Sequence, residues 1–392
     1  MPRVYFDNAA TTPMNEVALT AFVEQSRVLG NPSSLHAFGR ESRRDLESAR
    51  ERLATLIGSH PSEVIFTGSG TEANNLALKG IYWHRNNENP ARKIIAISAF
   101  EHHAVLDPAL WLGEEEGAEV VLIPVTHEGF VDLDFLRNLI ATRGDEIALI
   151  SVMHANNEVG TIQPIREIAM MANEKSIPVH VDAIQSLGKI PLSFSDLGIF
   201  AMTISAHKVG GPVGVGALIL RKGVDITPLI HGGGQEREIR SGTLNSAAIV
   251  AFVSAVEIAD RNRERNHAYL SQLRRNFYEI VKRNVPDVWI NGSLEGDQLP
   301  TIINIGFPDT ESDSLLLLFD SEGIACSTGS ACSAGVQQAS HVLLAMGLSE
   351  ERARSCLRFS FGPQNTQQEL EYFETRIARV IERAQSAYRR QR

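Results

Sequence analysis

The chain has 392 residues, with 37 Lys or Arg against 47 Asp or Glu, so its formal net charge at pH 7 is −10. A content of 43% hydrophobic and 21% charged residues is enough for a packed core and excludes disorder over most of the chain, while the acidic balance argues against direct nucleic-acid binding. The three cysteines, Cys326, Cys332 and Cys356, argue against a disulfide framework and favour a reducing, cytoplasmic compartment.

Short β-branched runs alternate with helical segments through the first two-thirds of the chain. The runs predicted as buried strands are VIFT (64–67), KIIAIS (93–98), EVVLIP (119–124), IALISV (147–152), PVHVD (178–182) and AMTIS (201–205). A seventh run, GVGALIL (214–220), follows AMTIS too closely for a helix to connect the two, so it is predicted to pair antiparallel. The pattern predicts an α/β fold in which a mostly parallel seven-stranded sheet is flanked by helices.

A change of pattern marks a second region. A long helical pattern begins near Asn245, and beyond Pro286 short strands such as TIINIGF (301–307) and LRFSF (357–361) alternate with helices. We therefore predict a large domain of residues 16–255. Residues 1–15 and 256–392 would form a smaller α+β domain. The N-terminal residues lack a basic region followed by an apolar stretch, so we expect no secretory signal there, and we expect no membrane-spanning segment because the apolar stretches are too short.

The first chemical motif, Gly68 to Ala73, follows VIFT and opens a helix. Glycines let the backbone approach an anion, and the first amides of a helix point towards it. A dinucleotide site would also need an acidic residue after the next strand, but Glu88 precedes that strand. An anion site and a tight turn without a ligand both remain open.

Two more strands end in residues with chemical potential. AMTIS leads into Ser205, His207 and Lys208, and a lysine whose pKa is lowered by burial can form a Schiff base. PVHVD leads into Asp182 and Gln185, and a carboxylate there could hold a protonated ring nitrogen. Taken singly, a solvated loop lysine and a helix-capping aspartate are the alternatives.

Polar residues also follow the two remaining central strands, with His102 after KIIAIS and Asn156 after IALISV. For His102 by itself, a structural histidine is the alternative. Because ligands bind at the carboxyl ends of strands in such sheets, these groups are better explained together. An anion site, a lysine and an acid opposite a ring nitrogen are what pyridoxal phosphate requires.

Cys332 lies in the segment STGSACSAG (327–335), which is composed almost entirely of small residues. This composition predicts an exposed loop, where a thiol that can ionise is reactive. We interpret Cys326 and Cys356 as structural. A resolving partner for Cys332 is the other possible use of Cys326.

Together these segments resemble the NifS/IscS-type cysteine desulfurases, a group of class V aminotransferases among the fold-type I pyridoxal phosphate enzymes. The resemblance covers essentially the whole chain, and the GSAC loop is what separates desulfurases from class V aminotransferases. The motifs that carry it are DNAATTP (7–13), GNPSSLH (30–36), TGSGTEANNLALKG (67–80), EHHAVLD (101–107), MHANNEVGT (153–161), HVDAIQSLGK (180–189), SAHKVGGPVGVGAL (205–218), HGGGQEREIRSGT (231–243), STGSACSAG (327–335) and LRFSFG (357–362).

The resemblance implies roles around the phosphate end of the cofactor. Lys208 would hold pyridoxal phosphate covalently, and Thr71, Ser205 and His207 would bind its phosphate. Thr243 would reach the site of a neighbouring subunit, which implies a homodimer.

The resemblance also implies roles at the ring and the substrate. Asp182 would pair with the ring nitrogen, Gln185 with the ring hydroxyl, and His102 would stack on the ring. Asn156 would lie near the cofactor and the substrate carboxylate, which Arg358 would clamp, because a planar guanidinium matches a carboxylate bidentately.

The implied activity is removal of sulfur from L-cysteine. Lys208 would take the α-proton, Cys332 would attack the sulfur, and alanine would leave a persulfide on Cys332. An iron–sulfur scaffold or another acceptor protein would receive the sulfur, for cluster assembly or tRNA thiolation, without direct nucleic-acid or membrane binding and without a metal.

Three other functions remain alternatives at this point. A class V aminotransferase or selenocysteine lyase would share the fold and the cofactor. A partner protein with a decayed site is disfavoured by the intact lysine, acid, histidine and cysteine. A nucleotide-dependent dehydrogenase is disfavoured by the missing acidic residue.

Overall fold

The computed structural model describes residues 3–329 and 339–391, with the side chain of residue 391 excepted. Cys332 lies outside the described residues. The strands in chain order are β1 (Val4–Tyr5), β2 (Val64–Thr67), β3 (Ile94–Ser98), β4 (Glu119–Ile123), β5 (Ile147–Ser151), β6 (Val179–Asp182), β7 (Ala201–Ser205), β8 (Gly216–Leu220), β9 (Trp289–Asn291), β10 (Ile302–Gly306), β11 (Ile324–Ala325) and β12 (Cys356–Ser360).

The α-helices alternate with these strands in the first part of the chain and dominate the second. In chain order they are α1 (Glu16–Ser26), α2 (Ala37–Leu56), α3 (Gly70–Glu88), α4 (His103–Glu116), α5 (Leu133–Arg143), α6 (Ile165–Asn173), α7 (Phe194–Leu197), α8 (Ser246–Arg261), α9 (Arg263–Asn284), α10 (Ser312–Ser321), α11 (His341–Ala345), α12 (Glu350–Ala353) and α13 (Gln367–Gln391).

Within the described ranges, the large sheet has seven strands in the order β2-β8-β7-β6-β5-β3-β4. The five neighbours from β7 to β4 pair in parallel, whereas β8 pairs antiparallel with both β7 and β2. Helices cover the sheet, so its central strands are buried on both faces and consist of apolar, β-branched runs. Both the mostly parallel sheet and the antiparallel β8 are confirmed.

A second cluster of elements surrounds the antiparallel sheet β12-β10-β9. Its core contains packed phenylalanine rings from distant parts of the chain, namely Phe6, Phe277, Phe359, Phe361 and Phe373. Close aromatic packing of this kind adds to the free energy gained from burial. β1 pairs in parallel with β11, which ties the start of the chain to this second core.

The two cores meet along α8 and α9. Helix α8 continues through residue 255 to Arg261, and its apolar side chains pack into the first core. Helix α9 packs into the second core through Leu270, Leu273 and Phe277. The division of the chain at residue 255 stays a prediction. In residues 3–329 and 339–391, no helix is both long and apolar enough to cross a membrane.

Candidate functional site

A cavity of about 410 Å³ opens at the carboxyl ends of β2, β6 and β7 and extends to β12. It brings together side chains that were singled out in separate parts of the sequence. The predicted site residues that line it are Thr71, His102, Asp182, Gln185, Ser205, His207, Lys208 and Arg358. This is the edge of the sheet at which ligands bind in α/β folds.

The turn between β2 and α3 forms one end of the cavity. Ser69 caps the helix by accepting a hydrogen bond from the Glu72 amide at 3.0 Å. A Cβ at Gly70 would lie 2.4 Å from Ile184 Cδ1 and 3.2 Å from Ser205 Cβ, so only glycine allows this close approach. Gly70 and Thr71, the first two residues of α3, line the cavity together with Ser205, and amides at the start of a helix suit a bound anion.

Asp182 lies at the end of β6, buried at 4% exposure. Its carboxylate accepts hydrogen bonds from Asn74 Nδ2 at 2.7 Å and from the Ile184 amide at 3.0 Å. Burial raises the pKa of Asp182, and the Ile184 amide, His102, Asn74 and Lys208 oppose that rise. A carboxylate so placed can hold a protonated ring nitrogen.

Asn74 was not predicted as a site residue. It is fully buried on α3, one helical turn beyond Gly70, so it lies on the helix face that meets the sheet. Its position in TGSGTEANN was the only signal in the sequence.

Lys208 projects into the cavity from the loop after β7. Its Nζ donates to the carbonyl oxygens of Ala9 and Ala10, each at 2.6 Å. Burial and then the Arg358 charge lower the pKa of Lys208 to about 8, against the opposing charges of Asp7 and Asp182. The amine is therefore closer to its neutral, nucleophilic form than an ordinary lysine.

Two histidines flank the lysine. The Nδ1 atom of His102 accepts the Ala104 amide at 3.0 Å, so the ring proton of neutral His102 is on Nε2. Burial lowers the pKa of His102. The negative charge of Asp182 opposes that decrease, and the positive charge of Lys208 adds to it. His207 Nδ1 lies 3.3 Å from Thr11 Oγ1, and burial followed by repulsion from Lys208 lowers its pKa to about 4. Both rings are neutral at pH 7.

Arg358 extends from β12 across the cavity, with its side chain only 5% exposed. Nη2 donates to Asp7 Oδ1 at 2.7 Å, and Nη1 donates to the Asn157 carbonyl at 3.1 Å. Its Nε is buried and, among the described residues, has no hydrogen-bond partner. The guanidinium is thus held in place and keeps donors for a carboxylate.

Within residues 3–329 and 339–391, two predicted site residues, Asn156 and Thr243, are not among those lining the cavity. The side chain of Asn156 organises its own loop, since Oδ1 accepts the Glu158 amide at 2.8 Å and Nδ2 donates to the Phe100 carbonyl at 3.1 Å. Its neighbour Asn157 lines the cavity instead. Thr243 is exposed and does not contact the cavity of its own chain. Their roles stay predictions.

Glu101, next to His102 in the motif EHHAVLD, is a buried acid to which the sequence analysis assigned no role. Its Oε1 accepts the Met153 amide at 2.6 Å and the Ser98 hydroxyl, which ties the end of β3 to the end of β5. Burial raises the pKa of Glu101 to about 8. The contacts identify it as a brace for the loop that carries His102.

Cys326 and Cys356, the two cysteines within the described residues, are both buried. Burial raises the pKa of both thiols, to about 12 for Cys356. Burial therefore disfavours the thiolate, which is the nucleophilic form, in both cysteines.

The arrangement can bind a planar ring that carries an anionic arm. The anion would meet the turn before α3, a ring nitrogen would face Asp182, and an aldehyde would reach Lys208. Arg358 would bind a second, carboxylate-bearing molecule beside it. These are the contacts of an amino-acid site.

Comparisons with known proteins agree with this geometry. A family model described as aminotransferase class-V matches residues 4–373. The chain is 47% identical over 383 residues to an IscS-like cysteine desulfurase from Mycobacterium tuberculosis, covering 98% of this chain and 97% of that one. A solved NifS-like protein aligns with a TM-score of 0.89 at 37% identity, covering 97% of this chain and all of the other. A second structure, of SspA in complex with cysteine, has a TM-score of 0.80 at 34% identity over 93% of this chain and 100% of that one.

Proposed function

The chain belongs to the aminotransferase class-V family and, within it, to the cysteine desulfurases, and we propose that it transfers the sulfur of L-cysteine to Cys332 as a persulfide. The enzyme depends on pyridoxal phosphate, as its family does. The observation that carries the proposal is the convergence of Lys208, Asp182 and Arg358 on one cavity. Transamination needs no cysteine, so the cysteine of the GSAC segment favours a desulfurase over a class V aminotransferase.

The residues around the cavity fit pyridoxal phosphate. Gly70 and Thr71, at the start of α3, line the cavity together with Ser205, and the first amides of a helix suit a bound phosphate. Asp182 accepts hydrogen bonds from two donors and still lines the cavity, as a partner of a ring nitrogen must. We propose that Thr71, Ser205 and His207 hold the phosphate, that Lys208 holds the aldehyde carbon, and that His102 covers the ring.

When bound, pyridoxal phosphate supplies an electron sink for the carbanion formed at the substrate α-carbon. Asp182 keeps a proton on the ring nitrogen through its ionised carboxylate. Lys208 would take the α-proton of the substrate at Nζ, and its lowered pKa suits that task. His102 presents an Nε2–H to the reacting groups.

Arg358 orients the substrate through its carboxylate. The Cys332 thiolate then attacks the sulfur of the bound cysteine, so that a sulfur–sulfur bond forms and the carbon–sulfur bond breaks. The released electron pair stays with the carbon, which takes up a proton to give alanine. The balance is L-cysteine plus thiol to L-alanine plus persulfide.

The direct test is mass spectrometry of the peptide containing Cys332 after incubation with L-cysteine. We expect one added sulfur atom on Cys332, removable by a thiol reductant, together with one alanine for each sulfur. Alanine release with Cys332 never modified would contradict the proposal. Turnover of selenocysteine but not cysteine would favour the lyase alternative.

We expect Arg358→Lys to raise the KM for L-cysteine about 10-fold to 100-fold with a smaller loss in kcat. A lysine keeps the charge but cannot bind Asp7 and a carboxylate in the fixed fork that Arg358 provides. Steady-state alanine formation measures both constants. Arg379→Lys, an exposed arginine on α13, is the matched control and should leave both unchanged. An unaltered KM in the Arg358 variant would remove Arg358 from substrate binding.

The proposed homodimer is supported by two features. Thr243 is exposed and does not line the cavity of its own chain, so it is free to reach a neighbouring one. Its loop is held firmly, because Arg240 binds Glu72 at 2.6 Å and Glu236 binds Arg50 at 2.6 Å. A loop fixed in this way can present Thr243 to a partner subunit.

We propose that residues 16–255 form the cofactor domain and that residues 1–15 and 256–392 form the small domain. The second core supports this division, since it unites Val4 and Phe6 with β10, β12 and α13. Val342, Leu343 and Met346 instead pack into the first core, so helix α11 bridges the two parts.

The receiver of the sulfur is proposed to be a protein, either an iron–sulfur scaffold or another sulfur acceptor. The net charge of −10 makes tRNA a poor direct partner, even where thiolation of tRNA is the final use of the sulfur. A thiol that must stay reduced between turnovers supports a cytoplasmic location.

A further inference from the structure

Lys189 lies beside the cavity and has no role in the reaction described above. It follows Gln185 by one turn in the segment after β6 and is partly buried. Its Nζ donates to Gln185 Oε1 at 2.8 Å. Burial, and then repulsion from Lys208 and Arg358, lower the pKa of Lys189 to about 7. An amine keeps N–H donors in both protonation states, so the contact with Gln185 persists through that range.

Gln185 has a carboxamide whose two ends are chemically different. Its Nε2 donates to the Ala9 carbonyl at 3.0 Å, and the same carbonyl accepts Lys208 Nζ at 2.6 Å. A lysine side chain offers donors and, when charged, no acceptor, so the end of Gln185 that faces Lys189 must be the oxygen. The amide nitrogen of Gln185 therefore faces the cavity side. One of its N–H groups donates to the Ala9 carbonyl, and neither of the two contacts with Ala9 and Lys189 uses the other N–H group.

We propose that Lys189 is a positioning residue that locks the Gln185 carboxamide so that Nε2 donates a hydrogen bond into the cavity. The inference rests on the proposed function, in which Gln185 meets the ring hydroxyl of the cofactor. Without Lys189, Oε1 loses its donor, and the contact of Nε2 with the Ala9 carbonyl is the one of these two contacts that still orients the carboxamide. The chain Lys189–Gln185–Ala9–Lys208 thus links a residue behind the site to the reactive amine.

The test is a double-mutant cycle on the cofactor-loaded enzyme with Lys189→Met, Gln185→Ala and the double variant. The readouts are the pH midpoint of the visible absorption change and the dissociation constant of pyridoxal phosphate from the apoprotein. A hydrogen bond to the ring oxygen draws its negative charge away from the proton held at the Lys208 nitrogen. Loss of that bond should raise the midpoint by about one pH unit and weaken cofactor binding about 10-fold.

We expect each single variant to show this shift and the double variant to show no further one, since both act through one carboxamide. Lys189→Arg, which keeps a donor, should restore most of the wild-type midpoint. Lys222→Met, at an exposed lysine far along the chain, is the control and should change neither readout. If Lys189→Met does not fold, Lys189→Gln replaces it, with a smaller shift expected in the same direction.

Three results would overturn the proposal. One is a Lys189→Met variant that keeps the wild-type pH midpoint of the absorption change while the Gln185→Ala variant has a shifted midpoint. Another is an equal shift from Lys189→Met in the Gln185→Ala background, which would mean a direct charge effect. The third is a Gln185→Ala variant whose pH midpoint equals that of the wild type. Failure of the proposed function is seen separately, as a wild-type enzyme that binds the cofactor and does not release alanine from L-cysteine.

Discussion

Replacing Lys208 with alanine should reduce alanine formation from L-cysteine at least about 10⁴-fold and abolish the covalent attachment of the cofactor. The same amine is proposed to hold the cofactor and to move the α-proton, so one substitution removes both. The fold should survive, because the carbonyl of Ala9 still accepts Gln185 Nε2 after Lys208 Nζ is lost. Removal of a buried charge also offsets part of the loss of two hydrogen bonds.

The measurements for Lys208 are the visible absorption of the purified protein, the turnover rate and a thermal melt. Lys208→Arg is the matched variant, because arginine keeps the positive charge but does not lose its proton near neutral pH. It should be as inactive as Lys208→Ala. Lys222→Ala, at an exposed lysine, should behave as wild type. Covalently bound cofactor in Lys208→Ala, or more than about a tenth of wild-type turnover, would show that another group holds the cofactor.

Replacing Cys332 with serine should abolish sulfur transfer to any acceptor while leaving the cofactor bound. Serine has nearly the shape of cysteine, but its hydroxyl neither ionises near pH 7 nor forms a persulfide. We expect net alanine formation to fall at least about 10³-fold, with the absorption of the cofactor-loaded protein unchanged. Substrate should still bind, because Arg358 and Lys208 are untouched, and L-cysteine should still alter the absorption spectrum.

The other two cysteines supply the controls for Cys332. Cys326→Ala and Cys356→Ala remove buried thiols whose pKa is raised by burial, so persulfide formation should persist. Each should lower the free energy of unfolding by about 1–2 kcal/mol through lost packing. Wild-type sulfur transfer by Cys332→Ser would contradict the assignment of the nucleophile. Loss of transfer in Cys326→Ala, in a protein that remains folded, would instead give Cys326 the resolving role.

Much of the fold was predictable because its strands are short, apolar and buried. A segment such as GALIL, within the predicted run GVGALIL, has no polar side chain on either face, so it suits a sheet covered on both sides, and β8 spans those five residues. The antiparallel direction of β8 followed from a connection too short for a helix. The position of α8 relative to the two cores was harder to predict from the sequence, because a continuous helical pattern does not show which core each turn contacts.

The candidate site was predictable to the extent that its residues follow strand ends. Thr71, Asp182, Ser205, His207 and Lys208 all line the cavity because parallel strands direct their carboxyl ends to one edge. Asn156 follows the same rule, yet its side chain serves the turn it lies in, since adjacent amides in a tight loop also need acceptors. Spacing along the chain could not distinguish Asn156 from Asn157.

The sequence by itself determined the layered α/β architecture, the chemistry of the strand ends and, through its motifs, the family. Only the tertiary structure decided which groups support them. Arg358 donates a hydrogen bond to Asp7, 351 positions away along the chain, and Asn74 donates one to Asp182, 108 positions away. The Ala9 carbonyl accepts a hydrogen bond from Gln185, 176 positions away. Local periodicity carries no information on such pairs, because they form only when separate cores pack and bring their polar atoms to one edge. The contact of Lys189 with Gln185 is local, four positions along the chain, and the tertiary structure decides that it lies beside Ala9 and Lys208.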